Sequence, residues 1–260
     1  MSSLKTTALL AFPLLMLAGC SAFFGFNAFS SLDKPAAPKL SDYQGGSSGL
    51  ARLAGDLSSP AVVALLKADP ATTQALEIYL DSTYGIKAGS FTTPDQQNAA
   101  VLYGDLYLKT TSGDQLVNNI VASVITTTQS GYISSLLLSI IPADVSGDEM
   151  KFTAMVNALL SANVAYLNFG ASIPSHGVPP GMNMGDVSQK AAVAYLMQAI
   201  VSSIPPADAP TTADAIHQMF LLSNNDPSNL ISGVGVTDPF ALLDVNLKHI
   251  FDAAGAPYPK

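Results

Sequence analysis

Cysteine, arginine and glutamate are nearly missing from this chain. A single cysteine, Cys20, cannot close an internal disulfide, so burial alone must hold the 260 residues together. Arg52 is the only arginine, and 11 Lys and Arg residues stand against 19 Asp and Glu residues, for a formal net charge of −8. A duplex or an anionic lipid surface repels such a chain, because nucleic-acid binding draws most of its affinity from Lys and Arg neutralising phosphates. Nucleic acid is excluded as a partner. Charged residues make up only 12% of the sequence, and uncharged polar residues take their place beside an apolar fraction of 48%.

Catalytic material is equally scarce. Glu77 and Glu149 are the only glutamates, and His176, His217 and His249 the only histidines. None falls in a zincin, P-loop, dinucleotide-binding or paired-cysteine zinc pattern. The chain is expected not to be an enzyme and to need no cofactor. His217 and His249 read as partly exposed helix-face residues with no carboxylate at a diagnostic spacing. The stretch "PSHGVPPGMNMG", residues 174–185, brings His176 near Met182 and Met184, an imidazole and two thioethers of the kind copper favours. The competing reading is a rigid Pro/Gly connector whose methionines pack on the core. Gly45, Ser47 and Gly49 formally match a nucleophile elbow, but that motif requires a strand before it and a helix after it, and a flexible linker is the preferred reading.

What is present begins at the N-terminus. Lys5 precedes an apolar run over residues 8–19, too short for the roughly 20 residues a membrane-spanning helix needs but suited to an export signal. Leu17, Ala18, Gly19 and Cys20 end that run with small residues before a cysteine. This resembles the lipobox of bacterial lipoproteins, which implies cleavage before Cys20, acylation (palmitate among the chains) of its thiol, and anchoring without a span. Several acyl chains at about 0.8 kcal/mol per buried methylene hold a protein to a bilayer effectively permanently. The family's usual inner-membrane retention signal is an Asp after the cysteine; Ser21 stands there, which implies the outer membrane, facing the periplasm. Loss of the leader removes Lys5 and no acid.

The rest of the chain divides by composition. Residues 1–19 are the expected signal peptide. Residues 20–49, with Pro35, Pro38 and "GGSSG", are the expected lipidated cysteine and flexible tether, and residues 50–260 a single all-helical domain. Ser59-Pro60, Asp69-Pro70, Thr93-Pro94, Asp226-Pro227 and Asp238-Pro239 each pair a capping residue with proline at the first helical position. Phe240, Leu243, Leu247, Ile250 and Phe251 share one face of a last helix whose other face carries Asp244, Lys248 and Asp252. "AAVAYLMQAIVSSI", residues 191–204, is apolar nearly all round and is expected to be the central helix, with Leu196 in the core. "NNIVASVITTT" is rich in β-branched residues but lacks alternation, and is read as helix. The expected fold is all-α.

Within it, "AAVLYGDLYL" from Ala99, "ANVAYLNFGA" from Ala162 and "AAVAYLMQAI" from Ala191 place small residues and an aromatic at helical spacing. Residues 98–120 resemble the first helix and turn of a tetratricopeptide repeat, with Gly104 as the packing residue, Tyr107 three positions on, and Gly113-Asp114 at the turn. The fold expectation is therefore a multi-helix bundle or a divergent tetratricopeptide-like helical-repeat solenoid, and the resemblance implies a binding scaffold.

Residues 115–143 and 152–185 carry no Asp, Glu, Lys or Arg. Asn118, Asn119, Asn157, Asn163 and Asn168 within them argue against lipid exposure, since unpaired amides in hydrocarbon cost several kcal/mol each. Buried helices follow, with the asparagines satisfying helix-to-helix contacts. The functional expectation is a lipid-anchored, periplasm-facing scaffold that binds an envelope protein partner. The alternatives are a carrier of an apolar small molecule or a transporter-associated solute-binding component, and a hydrolase with a scattered site.

Overall fold

A computed structural model describes residues 35–126, 141–204, 209, 211–225 and 244–256, and its regular elements among these residues are all helical. After a 3-10 turn at Leu40–Tyr43 come α1 (Ser47–Leu57), α2 (Pro60–Ala68), α3 (Pro70–Tyr84), α4 (Pro94–Thr110), α5 (Gly113–Thr126), α6 (Glu149–His176), α7 (Met184–Ser203), α8 (Thr212–Asn225) and α9 (Val245–Ala254). The fold is all-α, as the proline-punctuated sequence predicts. Cys20 and the whole leader lie outside the described residues.

Three of the five expected helix starts fall where the Pro pairs put them, at Pro60, Pro70 and Pro94. The caps differ in quality. Asp69 accepts the Thr72 N–H at 3.1 Å and its hydroxyl at 2.7 Å. Thr93 and Gln96 form a reciprocal capping box, while Ser59 makes no side-chain cap bond. The pairs at Asp226 and Asp238 lie outside the described residues, as do Phe240 and Leu243. α9 is described from Val245, and Asp244 is its cap, accepting the Asn246 N–H at 2.7 Å rather than lining the outer face. Leu247, Ile250 and Phe251 are buried as expected, and Lys248 pairs with Asp252 at 2.8 Å on the exposed side.

The expected tether runs too long. The compact unit begins at Pro38, and Ser47 to Gly49 already belong to α1. Tyr43 is buried and donates its hydroxyl to Asp56 at 2.9 Å. Gly49 permits that: a Cβ there would lie 2.1 Å from the Tyr43 carbonyl oxygen. One buried aromatic thus orders a stretch whose composition alone reads as linker.

The central helices are α4 and α6, which form the most extensive pair, with α7 and α9 against α6, α3 and α1 against α4, and α8 across α6 and α7. α6 buries Phe152, Met155, Val156, Leu159, Ala162, Tyr166 and Phe169 in succession. The expectation that α7 is central and Leu196 a core residue is corrected: Ala191, Val193, Ala194, Ile200 and Val201 are buried, but Leu196 is half-buried. Apolar content all round a helix shows where it tolerates burial, not how many neighbours reach it. Helix lengths run from 9 residues in α2 to 28 in α6. α4 packs on α1, α3, α5 and α6 rather than only on its chain neighbours, as in a multi-helix bundle.

The tetratricopeptide-like Gly104 does admit another element closely, but from a different place. A Cβ on Gly104 would meet the Tyr166 ring of α6 at 2.7 Å. The next helix, α5, is joined to α4 by a turn of only Thr111 and Ser112, and is not the one that enters the notch.

Candidate functional site

α3, α4 and α6 meet the end of α2 around an open groove of about 440 Å³. The Asp69 cap and Pro70 set the phase of α3, which turns Thr73, Gln74 and Glu77 to that side. α4 contributes Tyr107 and Thr110, the turn after it Thr111, and α6 Ala154, Asn157 and Ser161. Gln96 holds the arrangement, donating its amide to the Tyr84 carbonyl at 3.3 Å and so tying the start of α4 to the end of α3.

Glu77 is the groove's carboxyl. Burial pushes it above the ordinary glutamate range, opposed by a hydrogen bond from Tyr107 and the charge of Lys87. The Tyr107 hydroxyl lies 3.3 Å from that of Tyr103, with the two rings edge to face at 4.9 Å. Burial, and then the Tyr103 hydroxyl and Glu77, push the Tyr107 phenol well above its ordinary value. Lys87 is raised by Tyr103 and by Asp81, with which it pairs at 3.4 Å. Tyr107, Tyr103 and Lys87 thus form the polar surroundings of Glu77. The Thr73, Thr110 and Thr111 hydroxyls are engaged by the Leu66, Leu106 and Tyr107 carbonyls at 2.8, 2.6 and 2.9 Å.

A second polar cluster lies on the other side of α4 and is closed. Lys190 of α7, 6% exposed at its side chain, donates to Asp105 at 3.0 Å and to Asp186 at 2.6 Å. Tyr166 of α6 donates its hydroxyl to the same Asp105 oxygen at 2.9 Å. Desolvation is the largest single influence on Lys190 and pulls it down, but Asp105 and Asp186 together outweigh it and hold the ammonium above its ordinary value. Burial and then Asp105 push the Tyr166 phenol far up. The cluster joins three helices, with Asp186 about half exposed at its edge.

The structure makes one pairing that sequence spacing does not offer. His217 of α8 meets Glu149, the first residue of α6, at 2.5 Å, across 68 residues and with both side chains about half exposed. His249 is half-buried, and its Nδ1 is enclosed with no hydrogen-bond partner among the described residues.

For the thioether and imidazole stretch, α6 continues through Pro174 to His176, so the connector is only residues 177–183. His176 is exposed at the helix end, Met182 is half-buried against the core, and Met184 is buried as the first residue of α7. Gln97 braces the turn, donating to Ser172 at 2.8 Å and to the Gly177 carbonyl at 2.9 Å. This is the packing expected of a Pro/Gly connector. Among the described residues no group of three or more His, Cys, Asp or Glu is placed to hold a metal ion. Ser47 has no strand before it; it opens α1 and donates to Asp95 at 2.6 Å.

The asparagines divide. Asn168 crosses to the Ile86 carbonyl at 2.8 Å, as expected of a helix-to-helix contact, whereas Asn163 is buried with its Oδ1 unpartnered among the described residues, and Asn157 lines the groove. No helix among the described residues is long and apolar enough to cross a membrane; only the bent pair α1 and α2, at 97°, has the length and composition together.

Sequence reasoning singled out Glu77 only for its rarity and missed Asp105 and Lys190. Their signal was position: Asp105 interrupts "AAVLYGDLYL", and Lys190 immediately precedes "AAVAYLMQAI", each an isolated charge against an apolar run. No family model, no curated protein and no solved structure matches the chain.

Proposed function

We propose that the chain is a lipid-anchored, periplasm-facing scaffold of the bacterial outer membrane that holds an envelope protein partner. The binding half of this reading rests on the outer face of α6. Met150 is 83% exposed, and Ala154, Asn157, Ser161 and Val164 follow it at alternating four- and three-residue steps, on one side of the helix and exposed or half-exposed. From residue 152 onward that face carries no charge, in a chain of net charge −8. Uncharged surface sheds its water at low cost, and an uncovered apolar or neutral strip is the kind of surface that partners bury.

The anchoring half rests on Leu17 to Cys20 at the end of the apolar leader. Cys20→Ala followed by cell fractionation tests it: the variant should stay unprocessed or leave the membrane fraction. Normal processing of that variant to the same membrane-bound product would end the lipoprotein reading. Binding is tested separately, by cross-linking the full chain in its membranes with a probe at Asn157 and, as a control, at Ala171 further along α6. A single protein adduct at Asn157 is expected; lipid adducts alone would favour a carrier instead.

A further inference from the structure

We propose that the groove between α3, α4 and α6 is the partner site, and that it receives a Lys or Arg side chain of the partner against Glu77. The proposal rests on the scaffold reading for its partner and on the following geometry for its chemistry.

Glu77 enters the groove as a half-buried carboxyl beside Tyr107, whose hydroxyl lies 3.3 Å from that of Tyr103. The carboxyl lines the open volume together with Tyr107. A half-buried carboxylate fixed on a packed helix meets a cation with little further ordering, the arrangement that makes a charge-assisted contact strong. The threonine hydroxyls of the lining are engaged by backbone carbonyls, whereas Gln74, Asn157 and Ser161 have no such bond to another described residue. Two amides and a hydroxyl flanking a carboxylate match a basic side chain together with the peptide groups that carry it.

Charge decides the sign of the occupant. The chain's net charge of −8 attracts a basic segment from a distance and repels an acidic one. Lys67 is the lining's only cation; it is exposed on the last turn of α2 and also borders the adjoining groove that holds Asp114, so it can turn away from the entering group. Volume agrees: about 440 Å³ admits a long side chain and part of its backbone, not a folded element.

The full-length chain in detergent micelles, with its side-chain amides labelled with nitrogen-15, provides the test. Three capped tripeptides serve as probes: Ala-Lys-Ala, Ala-norleucine-Ala and Ala-Glu-Ala, each titrated to about 10 mM, where a single weak contact becomes visible. The lysine peptide should shift the Gln74 and Asn157 amide signals saturably, and Glu77→Gln should weaken that binding about tenfold or more. Equal shifts from norleucine or glutamate, no saturation, or an unchanged affinity in Glu77→Gln would each overturn the site. The two readings fail separately. If the Asn157 adduct forms equally well in Glu77→Gln, the scaffold stands and the cation site falls. If the lysine peptide binds but no protein adduct forms, the cation site stands and the scaffold falls.

Discussion

The two faces of α4 carry the same three kinds of group to different ends. On one face Tyr166, Asp105 and Lys190 are buried between α4, α6 and α7; on the other Tyr107 and Glu77 line a groove open to solvent, with the charge of Lys87 acting on Glu77. In the closed cluster each charge has its counter-charge, because an unpaired ion at that depth would cost several kcal/mol. In the open one, water can solvate whatever the protein does not, so the carboxyl can be left partly unanswered. The difference between fastener and site therefore lies in access, not in residue type.

The strongest way to break that comparison is to remove the buried cation. Lys190→Met keeps most of the side-chain volume but leaves Asp105 uncompensated, and should cost about 3–5 kcal/mol in urea unfolding. A loss under about 1 kcal/mol, the usual value of a surface ion pair, would place Lys190 with the open face. The same cluster has a pH signature. Lys190 is raised in the folded state, so its contribution is fully present below the unfolded lysine value of about 10.4 and is lost as pH rises through the folded value. Tyr166 is raised too and acts in the same direction. Stability should fall above about pH 10, by up to about 1.4 kcal/mol per pH unit for each group, and the gap between wild type and Lys190→Met should narrow there.

Gly104→Ala probes the notch that admits Tyr166. The added Cβ would lie 2.7 Å from a ring that is wholly buried and fixed through its hydroxyl to Asp105. Overpacking of about 1–3 kcal/mol outweighs the roughly 1 kcal/mol of helix propensity gained, for a net loss of about 1 kcal/mol. Gly55 of α1, with nothing within 4 Å of its added Cβ, is the control: Gly55→Ala should stabilise by up to about 1 kcal/mol. Thermal melts of the two variants should move in opposite directions.

The smallest expected effect belongs to the open face. Glu77 is raised by burial, so its contribution declines as pH climbs past the unfolded carboxyl value of about 4.3, and at neutral pH its charge adds nothing that Gln would lose. Glu77→Gln should stay within about 0.5 kcal/mol of wild type in the same urea experiment. A loss as large as that of Lys190→Met would show that Glu77 fastens helices and is no site.

Much of the fold was legible in the residues because its signals are local. A capping residue before a proline states a helix start wherever it occurs, and Pro60, Pro70 and Pro94 each begin one. The face of α9 that buries Leu247, Ile250 and Phe251 follows from spacing alone. Missing charge marked residues 152–185 for burial, and α6 buries one side there while Ala154, Asn157 and Val164 stay exposed. Local signals also misled: "GGSSG" has the composition of a linker yet leads into α1, and the apolar run of α7 suggested a centre that α6 occupies.

The sequence by itself determined helix type, helix phase and the shortage of catalytic groups, since each depends on residues within a turn or two of one another. Tertiary structure alone decided which helices are central, that Asp105 answers Lys190 across 85 residues, that Glu149 meets His217, and that Glu77 is half-buried beside Asn157 of α6. The physical reason is range. Hydrogen bonding along a helix and the periodicity of burial act over a few residues, whereas desolvation and ion pairing depend on which distant segments exclude water from a given side chain.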